Sequence, residues 1–498
     1  MSKIAVIGAG FSGLSAAAYL SVEGHEVHVF EKNATVGGRA RQLVTDEGYV
    51  FDMGPSWYWM PDVFERFFKD FGYSVSDGYE LKLLDPSFEV VFDKGEKIKI
   101  PSDYSALKLL FEQIEKGSAD KLEQFMNQAR RKYETGMKEL VYMPGLSARE
   151  FADAKIINDA FRLQIFSSFS KHVRKFFSNP KLISLMEFPI LFLGAMPQDT
   201  PALYSLMNYA GLKLGTWYPM GGFGKVIDFM KAICERQGTI FHFNAPVEKL
   251  LVEENCVESI LAGAKEMNFD AVIASADYHH VENDLLLPEF KNYSENYWDK
   301  KTFAPSCLIY YLGVSKKINV LQHHTLFFEE DLFQHSKEIY KSREWPSKPL
   351  FYVCCPSKTD DTVAPEGHEN LFLLMPVAPG LEDNEMSREK YFKIMVQRLE
   401  KHAGEKIEEY VDYKKSYCIN DFVTDYHAYK GNAYGLANTL MQTAFLKPKI
   451  RNKKVKNLFY AGQLTVPGPG VPPSLISGKI AAGQLLKYLK NKKHEILV

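Results

Sequence analysis

The sequence is poor in the features that would place it at once. Its 498 residues include six cysteines: Cys234, Cys256, Cys307, Cys354, Cys355 and Cys418. None forms a C-x-x-C pair, and the adjacent Cys354 and Cys355 match no metal-ligand or redox spacing, which excludes a disulfide scaffold or a zinc module. His279-His280 and His323-His324 likewise have no partner at helical or finger spacing. No charge dominates, since 60 Lys and Arg face 62 Asp and Glu, so no basic field recruits nucleic acid. There is no internal repeat, no low-complexity linker and no uninterrupted run of the about 18 apolar residues that a membrane-spanning helix needs. Scattered cysteines read as reduced thiols, the pattern of a cytoplasmic chain. Apolar residues at 46% and charged residues at 24% describe an ordinary globular protein, long enough for two or three domains.

What is present begins at the N-terminus. Ile4 to Leu20 is apolar behind Lys3, as a signal peptide would be, but spaced glycines and a following strand decide against that. Lys3–Ile7 predicts a strand, Gly8-Ala9-Gly10-Phe11-Ser12-Gly13 a tight turn, Leu14–Val22 a helix closed by Gly24, and Glu26–Phe30 a second strand. A G-x-G-x-x-G turn between strand and helix presents backbone N–H groups and a positive helix end to a pyrophosphate. Glu31, at the end of the second strand, is where an acid accepts hydrogen bonds from ribose hydroxyls, and it disfavours a 2′-phosphate. Gly37-Gly38-Arg39 adds close backbone approach and a guanidinium for phosphate oxygens.

Further along, Asp52-Met53-Gly54-Pro55-Ser56-Trp57 is a punctuated turn, and Tyr218-Pro219-Met220-Gly221-Gly222-Phe223-Gly224 leads into a helix. Strands are expected at 240–243, 247–252, 256–261, 270–275, 307–314, 350–355, 370–377 and 457–461, and a helix near 387–403. The chain closes on Leu458–Gln463, a Gly/Pro turn through Thr465–Ser474, and a helix over 475–490. A helix N-terminus there would stabilise the negative charge of a reduced cofactor.

Gly8–Glu31 together with Gly37–Arg39 resembles the extended pattern of flavin oxidoreductases of the glutathione-reductase and amine-oxidase kind. With Asp52–Ser56, Phe188–Thr200, Tyr218–Gly224, Ala274–Asp277 and the 458–483 tail, nearly the whole chain is similar to the bacterial phytoene desaturase family. The resemblance implies FAD held by Gly8, Gly10, Phe11, Ser12, Gly13, Glu31, Lys32, Gly38, Arg39, Gly54, Pro55, Ser56, Val247, Gly462, Gln463, Val471 and Pro472. It implies introduction of double bonds into a forty-carbon carotenoid, phytoene toward lycopene, at a membrane surface, with oxygen or a quinone reoxidising the flavin. A hydroxycarotenoid 3,4-desaturase, a carotene isomerase and a flavin-free prenyl-protein escort are the alternatives on related scaffolds. Two departures stand out. Ala461-Gly462-Gln463-Leu464-Thr465-Val466-Pro467 lacks the histidine of the family's Gly-Ala-Gly-Thr-His-Pro segment, and Ala274-Ser275-Ala276-Asp277 replaces Ser-Asn-Ala-Asp.

A hydrocarbon has no carbonyl to acidify its C–H bonds, so the flavin carries the chemistry and the protein aligns the chain. No triad, metal cluster or acid–base residue is singled out. The expected fold is α/β: a discontinuous Rossmann-like FAD domain from 1–75, 218–285 and 425–498, a helical cap over 76–217 facing the membrane, and a mixed-sheet substrate domain over 286–424. Phe161, Ile165, Phe169, Val173 and Phe177 recur every four residues beside Arg162, Lys171, Arg174 and Lys175. That stripe is read either as an interfacial helix on a peripheral membrane protein or as the core face of a cap helix.

Overall fold

The computed structural model describes residues 1–138, 140–147, 150 and 167–497. Its first layer is a parallel five-stranded sheet in the order Leu458–Tyr460, Ala271–Ala274, Lys3–Ile7, Glu26–Phe30, Ile240–His242. These strands are short and apolar because both sheet faces are covered. Ile4, Val6, Val27, Val29 and Ile273 point into one core, and Ala5, Ile7, Phe30, Val272 and Ala274 into another. The helix Phe11–Val22 and the closing helix Val471–Leu497 cover the first face. The antiparallel meander Val247–Glu253, Cys256–Ala262, Lys265–Asn268 covers the second. The closing helix starts four residues earlier than expected, since Pro472 and Pro473 occupy its first turn, where the missing N–H costs nothing.

A second sheet has seven strands in the order Val411–Tyr417, Ser306–Val314, Glu369–Val377, Phe351–Cys354, His324–Phe328, Phe88–Phe92, Lys97–Ile100. All neighbours are antiparallel except His324–Phe328 with Phe88–Phe92. The span 76–217 is therefore not only helical. Phe88–Phe92 is buried throughout and Lys97–Ile100 alternates exposed with buried, the period of a strand. One face of this sheet packs on the helix Glu385–Ala403 through Tyr391, Phe392, Met395, Val396 and Leu399. The other face, with Leu326, Tyr352 and Leu374, turns toward the first sheet.

The basic apolar stripe belongs to the core as far as it is described. Phe169 and Val173 are fully buried on a helix of only five residues, Phe169–Val173, and Phe177 beyond it is nearly so. Phe161, Arg162 and Ile165 lie outside the described residues. No described helix is long and apolar enough to cross a membrane.

Candidate active site

The glycine turn sits at the C-terminal end of the central strand, where ligands bind in open α/β sheets. Gly8 adopts φ +97°, and its N–H donates to Phe30 O at 2.8 Å. A Cβ on Gly13 would lie 1.9 Å from Gly8 O, so the helix can approach the strand only with glycine there. Gly10 differs: a Cβ there would meet only Gly38 Cα, at 3.9 Å. The helix that follows has no side-chain cap at Gly10 and no acid in its first turn, leaving its positive end for an external anion.

Several predicted residues converge on this turn. Gly37 N donates to Ala9 O at 2.8 Å, which brings Gly38 and Arg39 alongside. Glu31 is buried; its Oε2 accepts from Ala9 N and its Oε1 from Asn33 N, both at 2.9 Å. The acid thus braces the turn it was expected to serve, with part of its acceptor capacity left for a ligand. Ala245 N donates to Glu31 O at 2.9 Å, placing buried Val247 nearby. Arg39 lies over the Tyr426 ring at 5.0 Å, and its Nη2 donates to Asn432 O at 3.4 Å. Its Nε has no hydrogen-bond partner among the described residues. Burial lowers the pKa of this guanidinium, opposed by Asp277, whose own carboxyl burial raises.

The tail closes the other side. Ser12 Oγ and Ser275 Oγ are 2.7 Å apart, and a Cβ on Gly462 would lie 3.3 Å from Ser12 Oγ. Gly462 N donates to Ser477 Oγ at 2.9 Å. With its amide turned to suit its neighbours, Gln463 accepts from Arg39 Nη2 at 3.1 Å. Val471 and Pro472 are the first residues of the closing helix. Two predicted side chains point elsewhere. Phe11 is core, edge-on to Phe223 at 6.5 Å, and Lys32 Nζ donates to Thr424 O at 2.6 Å.

Gly54 and Pro55 follow Arg39 closely, since a Cβ on Gly54 would lie 2.5 Å from Arg39 O. Ser56 Oγ is 3.1 Å from the Tyr352 hydroxyl. Tyr352 in turn lines an apolar cavity of about 40 Å³, walled by Phe188, Leu326, Phe328, Leu350 and Leu374 among others. Through that hydrogen bond the Gly54–Ser56 turn adjoins the wall of an apolar cavity.

Sequence reasoning missed three features. Asp52 Oδ2 accepts from Phe223 N at 2.8 Å and so caps the helix Phe223–Arg236 from a distant strand. A Cβ on Gly222 would lie 2.7 Å from that carboxylate, and one on Gly224 2.1 Å from Gln42 Oε1, which accounts for the glycines of the 218–224 motif. Lys447 is buried, donates to Asn438 Oδ1 at 3.1 Å, and lies 3.1 Å from the place of a Cβ on Gly468; burial pushes it down to about 7. His323, His324 and Cys354 bring a ring nitrogen, a ring nitrogen and a thiol within 4.8 Å of one another. No linear spacing signals that group, because His324 meets Cys354 only through strand register.

The uncapped helix start, the Arg39 Nε without a partner among the described residues and the glycine turn fit an adenine dinucleotide, and together with the second sheet they define a flavoprotein fold. The chain belongs to the flavin containing amine oxidoreductase family, whose description matches residues 11–486. It is an FAD-dependent oxidoreductase. It is 40% identical to a carotenoid 3,4-desaturase of Haloarcula japonica over 97% of this chain and 98% of that one. It is 30% identical to a zeta-carotene-forming phytoene desaturase of Myxococcus xanthus, over 98% and 94%. Among solved structures, an oxidoreductase from Methanosarcina mazei shares the fold with TM-score 0.61 at 18% identity, over 96% of this chain and 99% of that one.

Proposed function

We propose that this oxidoreductase desaturates carotenoids. The whole-length, 40% identical likeness to a carotenoid 3,4-desaturase carries the reading, and an apolar cavity abutting the Gly54–Ser56 turn supports it. When bound, FAD supplies the hydride acceptor that a hydrocarbon requires. The chain's own residues hold and orient. Gly8, Gly10, Ser12, Gly13, Gly38 and Arg39 take the pyrophosphate, with the first helix end stabilising its charge. Glu31 and Val247 would hold the adenosine end, and Gly54, Pro55, Ser56, Gly462, Gln463, Val471 and Pro472 would hold the flavin end. The apolar cavity walls would exclude water beside the turn.

Phytoene is the substrate expected from the sequence. The contrast between 40% identity to a 3,4-desaturase and 30% to a phytoene desaturase favours the 3,4-position of a carotenoid as the site of oxidation. Peripheral membrane association follows from an insoluble substrate. Exposed Leu440 and Met441 support it, on a short 3-10 helix tied by Gln442 to Thr302.

The test is anaerobic. Oxidised protein is mixed with phytoene or a hydroxylated carotenoid in liposomes, and flavin absorbance is followed. Desaturation bleaches the flavin in step with new polyene bands, and admitting oxygen or a quinone restores it. A geometric isomer formed only with pre-reduced flavin would move the protein to the isomerases.

A further inference from the structure

Forming a double bond removes a hydride and a proton, so the site needs a proton acceptor as well as a flavin. Among the described residues no carboxylate lines the apolar cavity; the acid–base and hydroxyl side chains there are His335, Ser336, Tyr352 and Tyr434. His335 and Ser336 are committed to structure. His335 uses both ring nitrogens, Nδ1 with Leu350 N and Nε2 with Pro376 O, each at 3.0 Å. Ser336 donates to Leu332 O at 2.8 Å. Tyr434 neighbours the buried Cys307 thiol.

Tyr352 is different. Its hydroxyl lies 2.6 Å from His324 Nδ1 and 3.1 Å from Ser56 Oγ, between the cavity and the turn assigned to the flavin ring. His324 is fully buried, and its Nε2 has no hydrogen-bond partner among the described residues. The Trp57 ring stacks on it at 4.1 Å and 10°, where the face of the indole favours a cation.

We propose that Tyr352 and His324 form the proton acceptor of the desaturation, with Tyr352 the catalytic residue and His324 the relay behind it. One C–H bond of the substrate gives its hydrogen and electron pair to oxidised flavin. The C–H bond on the neighbouring carbon breaks heterolytically, and its electron pair becomes the second bond of the alkene. The released proton goes to the Tyr352 hydroxyl oxygen as that hydroxyl passes its own proton to His324 Nδ1. Oxygen or a quinone reoxidises the flavin, which closes the electron balance. Burial holds the imidazole well below its usual range, so it stands neutral and able to accept. A carbon that has lost hydride leaves its neighbour strongly acidic, so a weak neutral base suffices.

This inference rests on the desaturase reading, and one experiment separates the two. Flavin-loaded wild type, Tyr352→Phe, His324→Gln, His324→Ala and the double variant Tyr352→Phe/His324→Gln are mixed anaerobically with carotenoid liposomes. Each single variant is expected to retain its flavin spectrum and to bleach about 10²- to 10⁴-fold more slowly. The double variant should be no slower than the singles, as for groups acting in one relay. Added imidazole should restore part of the rate of His324→Ala, which a purely structural role would not allow. Bleaching of Tyr352→Phe within threefold of wild type overturns the relay and leaves the desaturase reading intact, as does a His324→Ala loss that imidazole does not relieve. Wild type that no carotenoid bleaches overturns both.

Discussion

Gly13 stands so close to Gly8 that a Cβ on it would lie 1.9 Å from the Gly8 carbonyl oxygen, whereas one on Gly10, in the same turn, would touch only Gly38 Cα at 3.9 Å. The two positions should fail differently. Gly13→Ala forces helix from strand and is expected to cost about 1–3 kcal/mol of stability, read as a lower Tm of the apoprotein. Gly10 has extended backbone, φ −78° and ψ −177°, which valine accepts. Gly10→Val should therefore melt with apoprotein stability within about 0.5 kcal/mol of wild type, yet retain no flavin absorbance after purification.

Asp52 links stability to pH. Burial raises its carboxyl from 3.8 to about 6, so across that interval the folded chain holds a proton that the unfolded chain has released. Its contribution is full below the unfolded value and is lost as pH rises through the folded one. Asp52→Ala removes this dependence and the cap on Phe223 N. The variant should be destabilised by about 1 kcal/mol near neutral pH and by roughly 1–3 kcal/mol more near pH 4.5. Urea denaturation at the two pH values measures it; a deficit that grows with pH would contradict the sign.

The crossing of the first and closing helices depends on Gly478. A Cβ there would lie 2.3 Å from Ser12 O, while Ser15 Oγ donates to Leu475 O at 2.7 Å across the same contact. Gly478→Leu is expected to separate the helices, cost about 3 kcal/mol or more, and weaken flavin retention; thermal unfolding and flavin titration read the two effects.

Membrane contact is expected at 440–446 and not at 169–177. Leu440 is 40% exposed and Met441 71%, whereas Phe169 and Val173 are buried. Leu440→Ser with Met441→Ser should lower sedimentation with liposomes. Arg174→Glu with Lys175→Glu should lower it little, because Arg174 is already engaged with Glu187.

The dinucleotide turn was legible in the chain because its logic is local. Gly8, Gly10 and Gly13 follow a strand and open a helix within one βαβ unit, and the residue types alone state which backbone must be close and which helix end free. The tail was legible for the same reason, since Gly462 and the prolines mark a strand end and a helix start. The strand Phe88–Phe92 was hidden because an apolar run is ambiguous until a partner is known, here His324–Phe328 from far along the chain. Gly222 and Gly224 read as a helix entry, but the reason for their missing side chains, Gln42 and Asp52, lies on another strand.

By itself, then, the sequence determined the class of cofactor, the parallel sheet that presents it and the two chain ends that meet around it, since local spacing encodes backbone approach and helix polarity. Tertiary structure alone decided which face of the 169–177 stripe is buried, and what stands at the wall of the cavity. Tyr352 reaches Ser56 from nearly three hundred residues away, and His324 faces Cys354 through a strand register. Contacts of that kind follow from how sheets pair and pack, and no spacing along the chain records them.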